Sequence, residues 1–82
     1  MVKKIRANDD NVKKELLSIV KSAIRENGLT QKEAAKVLET DQPKMSAIVN
    51  LRTKGLSLEK IFMFLSLLGY EVEIVVRKTN LN

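Results

Sequence analysis

Hydrophobic positions along this chain fall into four blocks with a helical period and one with the period of a strand. In the first block Val12, Leu16, Ile19, Val20, Ala23 and Ile24 recur at helical spacing. They predict a helix that Asp9 and Asp10 can cap and that runs to Glu26 or Asn27. Lys13, Lys14, Lys21 and Arg25 lie on its other faces, where they solvate it. Asn27-Gly28 ends it, because Gly28 can adopt the left-handed conformation that satisfies the last carbonyls. Leu29 then turns into the core. Thr30-Gln-Lys-Glu33 is a capping box in which each side chain can satisfy a backbone donor of the other residue, so a second helix starts there. Its apolar face is Ala34, Ala35 and Leu38, and it stops at Glu39-Thr40-Asp41. Asp41 caps a third helix, with Pro43 in the first turn, where a missing N–H costs nothing. Met45, Ile48 and Val49 form that helix's apolar stripe and leave Gln42, Lys44, Ser46, Ala47 and Asn50 facing outward.

Leu51-Arg-Thr-Lys-Gly55 reads as a loop, after which Ser57 caps a fourth helix from Leu58 to Leu68. This helix is apolar on nearly every side. Phe62 and Phe64 cannot share one narrow face, so part of its surface should meet something besides the domain's own core. Gly69 ends it. In the last block Tyr70, Val72, Ile74 and Val76 alternate with Glu71, Glu73, Val75 and Arg77, which predicts a strand with one buried face. No second strand candidate exists to pair with it. The cheapest solution is pairing with its own copy, antiparallel across a two-fold axis, with Glu71 and Glu73 approaching Arg77 and Lys78 of the other copy. Phe62, Tyr70, Val72, Ile74 and Val76 are therefore the expected dimer interface.

Two short helices with small residues at their crossing and a three-residue connection match the helix-turn-helix, whose second helix lies in the DNA major groove. From Leu29, the run L-T-Q-K-E-A-A-K-V-L followed by D-Q-P-K-M-S-A-I resembles the Cro/CI-like, or Xre-type, helix-turn-helix family. Downstream, Gly55-Leu-Ser-Leu58 and Leu67-Leu-Gly-Tyr-Glu-Val-Glu-Ile74 resemble its small single-domain branch containing HigA-type antitoxins. Together the resemblance covers Leu16 to Arg77. It implies a mostly α, four-helix, lambda repressor-like domain, to which the alternating last block adds one C-terminal β-strand pairing across a dimer. The corresponding divisions are a basic arm at residues 1–8, the domain at 9–69, a dimerisation strand at 70–78 and a tail at 79–82. One residue departs from the family pattern. The turn between the motif helices usually holds glycine, and here it holds Glu39: either that residue takes positive φ, at a cost of about 1 kcal/mol, or the turn is slightly altered.

Composition narrows the chemistry. The chain has 82 residues, enough for one domain with a modest core, so a marginal monomer or an obligate dimer is expected. It contains no cysteine and no histidine, which removes disulfides, thiolate nucleophiles, imidazole bases and the commonest metal ligands. No catalytic residue, metal or cofactor is expected, and no nucleophile–base pair supports an enzyme. Met1-Val-Lys-Lys-Ile-Arg6 lacks a following apolar region, and no apolar run approaches the ~18 residues a membrane span requires, so a cytoplasmic, nucleoid-associated protein is expected. Fifteen Lys and Arg oppose ten Asp and Glu, a net charge of +5 that favours a polyanionic partner. Its placement says more: Gln42 to Lys54 holds Lys44, Arg52 and Lys54 and no acid. The arm, with Lys3, Lys4 and Arg6, reads either as a frayed terminus or as a segment touching phosphates or a minor groove.

Double-stranded DNA is thus the expected ligand. Base-edge contacts fall to Gln42, Lys44, Ser46 and Ala47: glutamine can pair with adenine, lysine can approach guanine, and alanine can meet a thymine methyl. Gln31, for which the resemblance implies a phosphate contact, joins Lys32, Asn50, Arg52 and Lys54 as residues that position the backbone. A homodimer would set two such helices about 34 Å apart on an inverted repeat. The resemblance leaves two functions open. One is a dimeric repressor; the other neutralises a small ribonuclease toxin, with DNA binding only autoregulatory and with the C-terminal strand added to the toxin's sheet. A module binding only protein is a third.

Overall fold

The computed structural model describes residues 2–7 and 11–80, and within them the chain forms α1 (Val12–Glu26), α2 (Gln31–Val37), α3 (Gln42–Val49) and α4 (Leu58–Leu67). Local chemistry sets where three of the four begin. Thr30 Oγ1 accepts from the Glu33 amide at 3.1 Å while Glu33 Oε1 accepts from the Thr30 amide at 2.9 Å, the complete capping box of α2. Asp41 accepts from the Lys44 amide at 2.9 Å to start α3, and Ser57 accepts from the Lys60 amide at 3.1 Å to start α4. Asn11 precedes α1 without a side-chain cap; Asp9 and Asp10, the expected caps, lie outside the described residues.

All four helices end the same way. The residue after the C-cap turns left-handed, its amide reaches the carbonyl three back, and the next amide reaches the carbonyl five back, a Schellman closure. Leu29 N to Ile24 O (3.1 Å), Thr40 N to Ala35 O (2.9 Å), Arg52 N to Ala47 O (2.9 Å) and Tyr70 N to Leu65 O (2.8 Å) are the four long bonds. Glycine supplies the left-handed residue after α1 and α4, at Gly28 (φ 64) and Gly69 (φ 89). After α2 and α3 the position is held by Glu39 and Leu51, both at φ 55.

The helices bury one core. α1 packs against α3 and α4, and α2 against α3. Leu17, Val20, Ala34, Leu38, Met45, Ile48, Ile61 and Phe64 are fully enclosed, with Leu16, Ile24, Ala35 and Leu65 nearly so. The expected faces of α2 and α3 are the buried ones. On α1, Leu17 joins the predicted stripe because the helix meets two neighbours and buries a wider arc than one partner would require. On α4, Phe64 points fully inward, Phe62 is half-buried, and Met63 and Leu67 stay exposed. Among the described residues no helix is long and apolar enough to cross a membrane.

The ends differ from the body. Ile5 packs against the core, and Lys3 lines a shallow cleft with Ser18, Ile19, Ser22 and Glu26 of α1 and with Tyr70. The expected C-terminal strand is not formed in the single chain: every regular element among the described residues is a helix. A ladder requires a second strand's N–H and C=O groups, and the described residues supply none. Tyr70 still packs on the core, and its amide bond to Leu65 is the last backbone hydrogen bond among the described residues. From Glu71 to Asn80 every residue is exposed. The radius of gyration, 13.8 Å, accordingly exceeds the roughly 12 Å of a compact chain of this length.

Candidate nucleic-acid interface

A helix can enter a groove only if one side is anchored and the other is free. In α3 the anchors are Met45 and Ile48, at 0% and 1% exposure, seated in the core against α1 and α2. Gln42, Pro43 and Lys44 form the first turn and are exposed. Asp41 fixes where that turn starts, since its carboxylate is engaged with the Lys44 amide. Gln42 therefore presents an amide with donor and acceptor, and Lys44 a cation, from a rigid point.

Other expected contacts are placed less uniformly. Ser46 and Ala47, next in sequence to the buried Met45 and Ile48, are half-buried, so only part of each is accessible. Asn50 is exposed, but its side-chain amide donates to the Ser46 carbonyl at 2.8 Å, which leaves one N–H for another acceptor. Arg52 and Lys54 are exposed on the loop after α3, and Gln31 and Lys32 on the first turn of α2. The carboxylates of Glu33, Glu39 and Asp41 share this region and temper its positive charge. The two hydrogen bonds to Thr30, backbone first, lower the Glu33 pKa below its ordinary value, so it stays ionised at neutral pH.

Leu51 is the residue that sequence reasoning missed. Its left-handed backbone closes α3 and sends Arg52 and Lys54 onward. Leucine gives no local sign of that conformation. Its half-buried side chain packs against the core, and this contact holds it there. The expected dimer residues stand apart from α3's exposed turn. Phe62, Tyr70 and Val72 line a shallow cleft with Ser66, Gly69 and Glu71, while Ile74 and Val76 lie free beyond it.

No curated protein sequence shows a match to the chain. A solved structure described as "Putative XRE Family Transcriptional Regulator" is similar to it, with a TM-score of 0.77 and 33% identity, over 88% of this chain and 85% of that one. The model of a family described as a helix-turn-helix domain matches residues 3–77. With motif helices, their caps and an anchored α3 all inside that span, the chain belongs to the Xre-type helix-turn-helix family.

Proposed function

We propose that this protein is a sequence-specific, double-stranded-DNA-binding transcriptional regulator, a repressor that acts as a homodimer on an inverted repeat. The observation that carries the reading is α3: Met45 and Ile48 hold it from behind while Gln42 and Lys44 stand free on its first turn. That turn enters the major groove. Gln42 and Lys44 read base edges, and the accessible parts of Ser46 and Ala47 complete the contact. Gln31, Lys32, Asn50, Arg52 and Lys54 bind phosphates, which fix register without reading sequence.

Substitution separates the two roles. Lys44→Ala should change which duplexes are selected from a random pool. Arg52→Ala should weaken all duplexes alike and reduce the slope of log affinity against log salt by about 1. Equal losses from both variants on selected and random duplexes would remove the assignment. A second reading is favoured by the exposed Val72, Ile74 and Val76: an antitoxin whose C-terminal segment engages a small ribonuclease toxin. Co-purification with a small basic ribonuclease would favour it over a stand-alone repressor.

A further inference from the structure

The segment after Tyr70 carries a self-complementary pattern that points to one particular partner and one register. Ile74, Val75 and Val76 are 71%, 70% and 88% exposed, an apolar run in the open next to unpaired backbone groups. Such an edge is a template for another strand. The segment is tethered at its start, where Tyr70 and Val72 share a cleft with Phe62 of α4. Acids occupy one end, Glu71 and Glu73, and bases the other, Arg77 and Lys78. Run antiparallel to a second copy, acid meets base at both ends.

Symmetry then limits the registers. Two antiparallel neighbours related by a two-fold axis must have that axis perpendicular to the sheet, because an axis lying along the strands would make them parallel. A perpendicular axis keeps every side chain on its own face, and residues directly opposite in a ladder share a face. One residue must therefore face its own copy. Glu71 or Glu73 can face Arg77, but neither can face Lys78, which lies on the Tyr70 side. This corrects the looser expectation that both bases meet the acids.

Three registers remain near the centre of the segment. Centring on Glu73 sets two carboxylates against each other. Centring on Val75 pairs Glu73 with Arg77 but sets Val72 against Lys78. Centring on Ile74 sets Glu71 against Arg77, Val72 against Val76 and the Tyr70 ring against the Lys78 ammonium, each twice, and Ile74 against itself. Glu73 faces Val75 twice, but on the face away from Tyr70, Val72, Ile74 and Val76, where its carboxylate keeps its water, and no like charges are opposed. We infer that two copies of this chain pair antiparallel from Tyr70 to Lys78 with Ile74 on the two-fold axis. The inference rests on the homodimer reading above and adds its geometry. A two-stranded ribbon is marginal alone, so its apolar side closes on the α4 cleft at Phe62.

The absence of cysteine makes the test direct. Full-length Glu73→Cys, Ile74→Cys and Val75→Cys are each oxidised and run on a non-reducing gel, beside sedimentation of the unaltered chain, with helical circular dichroism to verify folding. Facing residues lie about 4.5–5.5 Å apart between Cα atoms, within disulfide range, whereas the diagonal pairs expected at 73 and 75 lie about 7–8 Å apart. The expected result is a dimer in solution and fastest cross-linking at position 74. Faster cross-linking at 73 or 75 overturns the register and leaves the dimer standing. A dimer that none of the three cross-links has its interface elsewhere and overturns the pairing. A chain that stays monomeric while binding duplex, or that assembles only with a different protein, overturns the homodimer reading itself. Charge reversal provides a second route: Glu71→Arg and Arg77→Glu should each weaken the dimer about tenfold, the scale of two cross-strand charge pairs, and should restore it together. Failure of the double variant to recover, or equal recovery by Glu73→Arg with Arg77→Glu, overturns the register.

Discussion

α1 and α4 end at glycines, and α2 and α3 end at Glu39 and Leu51, although all four closures have the same hydrogen bonds. The contrast extends to what each pair buries. α1 and α4 contribute Leu16, Leu17, Val20, Ile24, Ile61, Phe64 and Leu65, the bulk of the apolar volume. Within α2 the only buried side chains are Ala34 and Ala35, and a helix this short is unstable on its own. The framework pair is therefore held by burial with relaxed ends. In the motif pair α2 depends more on its ends, capped by Thr30 and Glu33 and closed by Glu39, while α3 adds the buried anchors Met45 and Ile48 to its Asp41 cap. A DNA-reading unit needs its helices at fixed positions more than it needs volume, and caps supply position.

The framework should show the largest loss. Phe64→Ala should cost about 3–5 kcal/mol, much of a small domain's total stability, as read by urea unfolding. A loss below about 1 kcal/mol would show that burial on α4 is not what holds the body together. Next come the ends. Asp41→Ala should cost about 1 kcal/mol, and Asp41→Asn should recover most of it, since either side chain can cap. Gly28→Ala should cost up to about 1 kcal/mol for another reason: no atom stands in the way of an added Cβ, so the left-handed backbone, about 1–2 kcal/mol, acts against the roughly 0.5–1 kcal/mol gained by restricting the unfolded chain.

Smaller still is Glu39→Gly. Relief of the left-handed strain, about 1 kcal/mol, is offset by about 0.5–1 kcal/mol of added freedom in the unfolded chain, so stability should stay level or rise slightly. A clear loss would mean that Glu39 is not strained. The least effect belongs to the capping box. Glu33 has a lowered folded pKa, so folding favours its charged form. Its contribution is complete above the ordinary glutamate value of about 4.3 and is lost as pH falls through the lower folded value. Glu33→Gln keeps a capping acceptor without a titrating group and should flatten that part of the acid limb in unfolding measured from about pH 6 to pH 2.

What could be read in the residues was whatever local chemistry determines. Thr30 with Glu33, Asp41 and Ser57 announce helix starts because their hydrogen bonds reach only three residues along the chain. Strain at Glu39 is one of two outcomes the sequence allows, because the turn usually holds glycine, and the φ of 55 decides between them. Features set by distant contacts were not visible. Leu17 is enclosed because α1 has two neighbours, and Leu51 is left-handed in a loop whose sequence carries no sign of it. The half-burial of Ser46 and Ala47 likewise depends on how close the neighbouring helices come. The alternation after Tyr70 was legible as a wish for a partner. It became a strand only in expectation, because one chain cannot complete a ladder.

The two strained closures have a mechanical consequence, since they lie on either side of α3 and nowhere else among the described residues. Both turns would release conformational energy on relaxing, whereas the glycine turns that bound the scaffold have none to release. Met45 and Ile48 pin the segment between those turns to the core, so neither turn can relax without moving buried side chains.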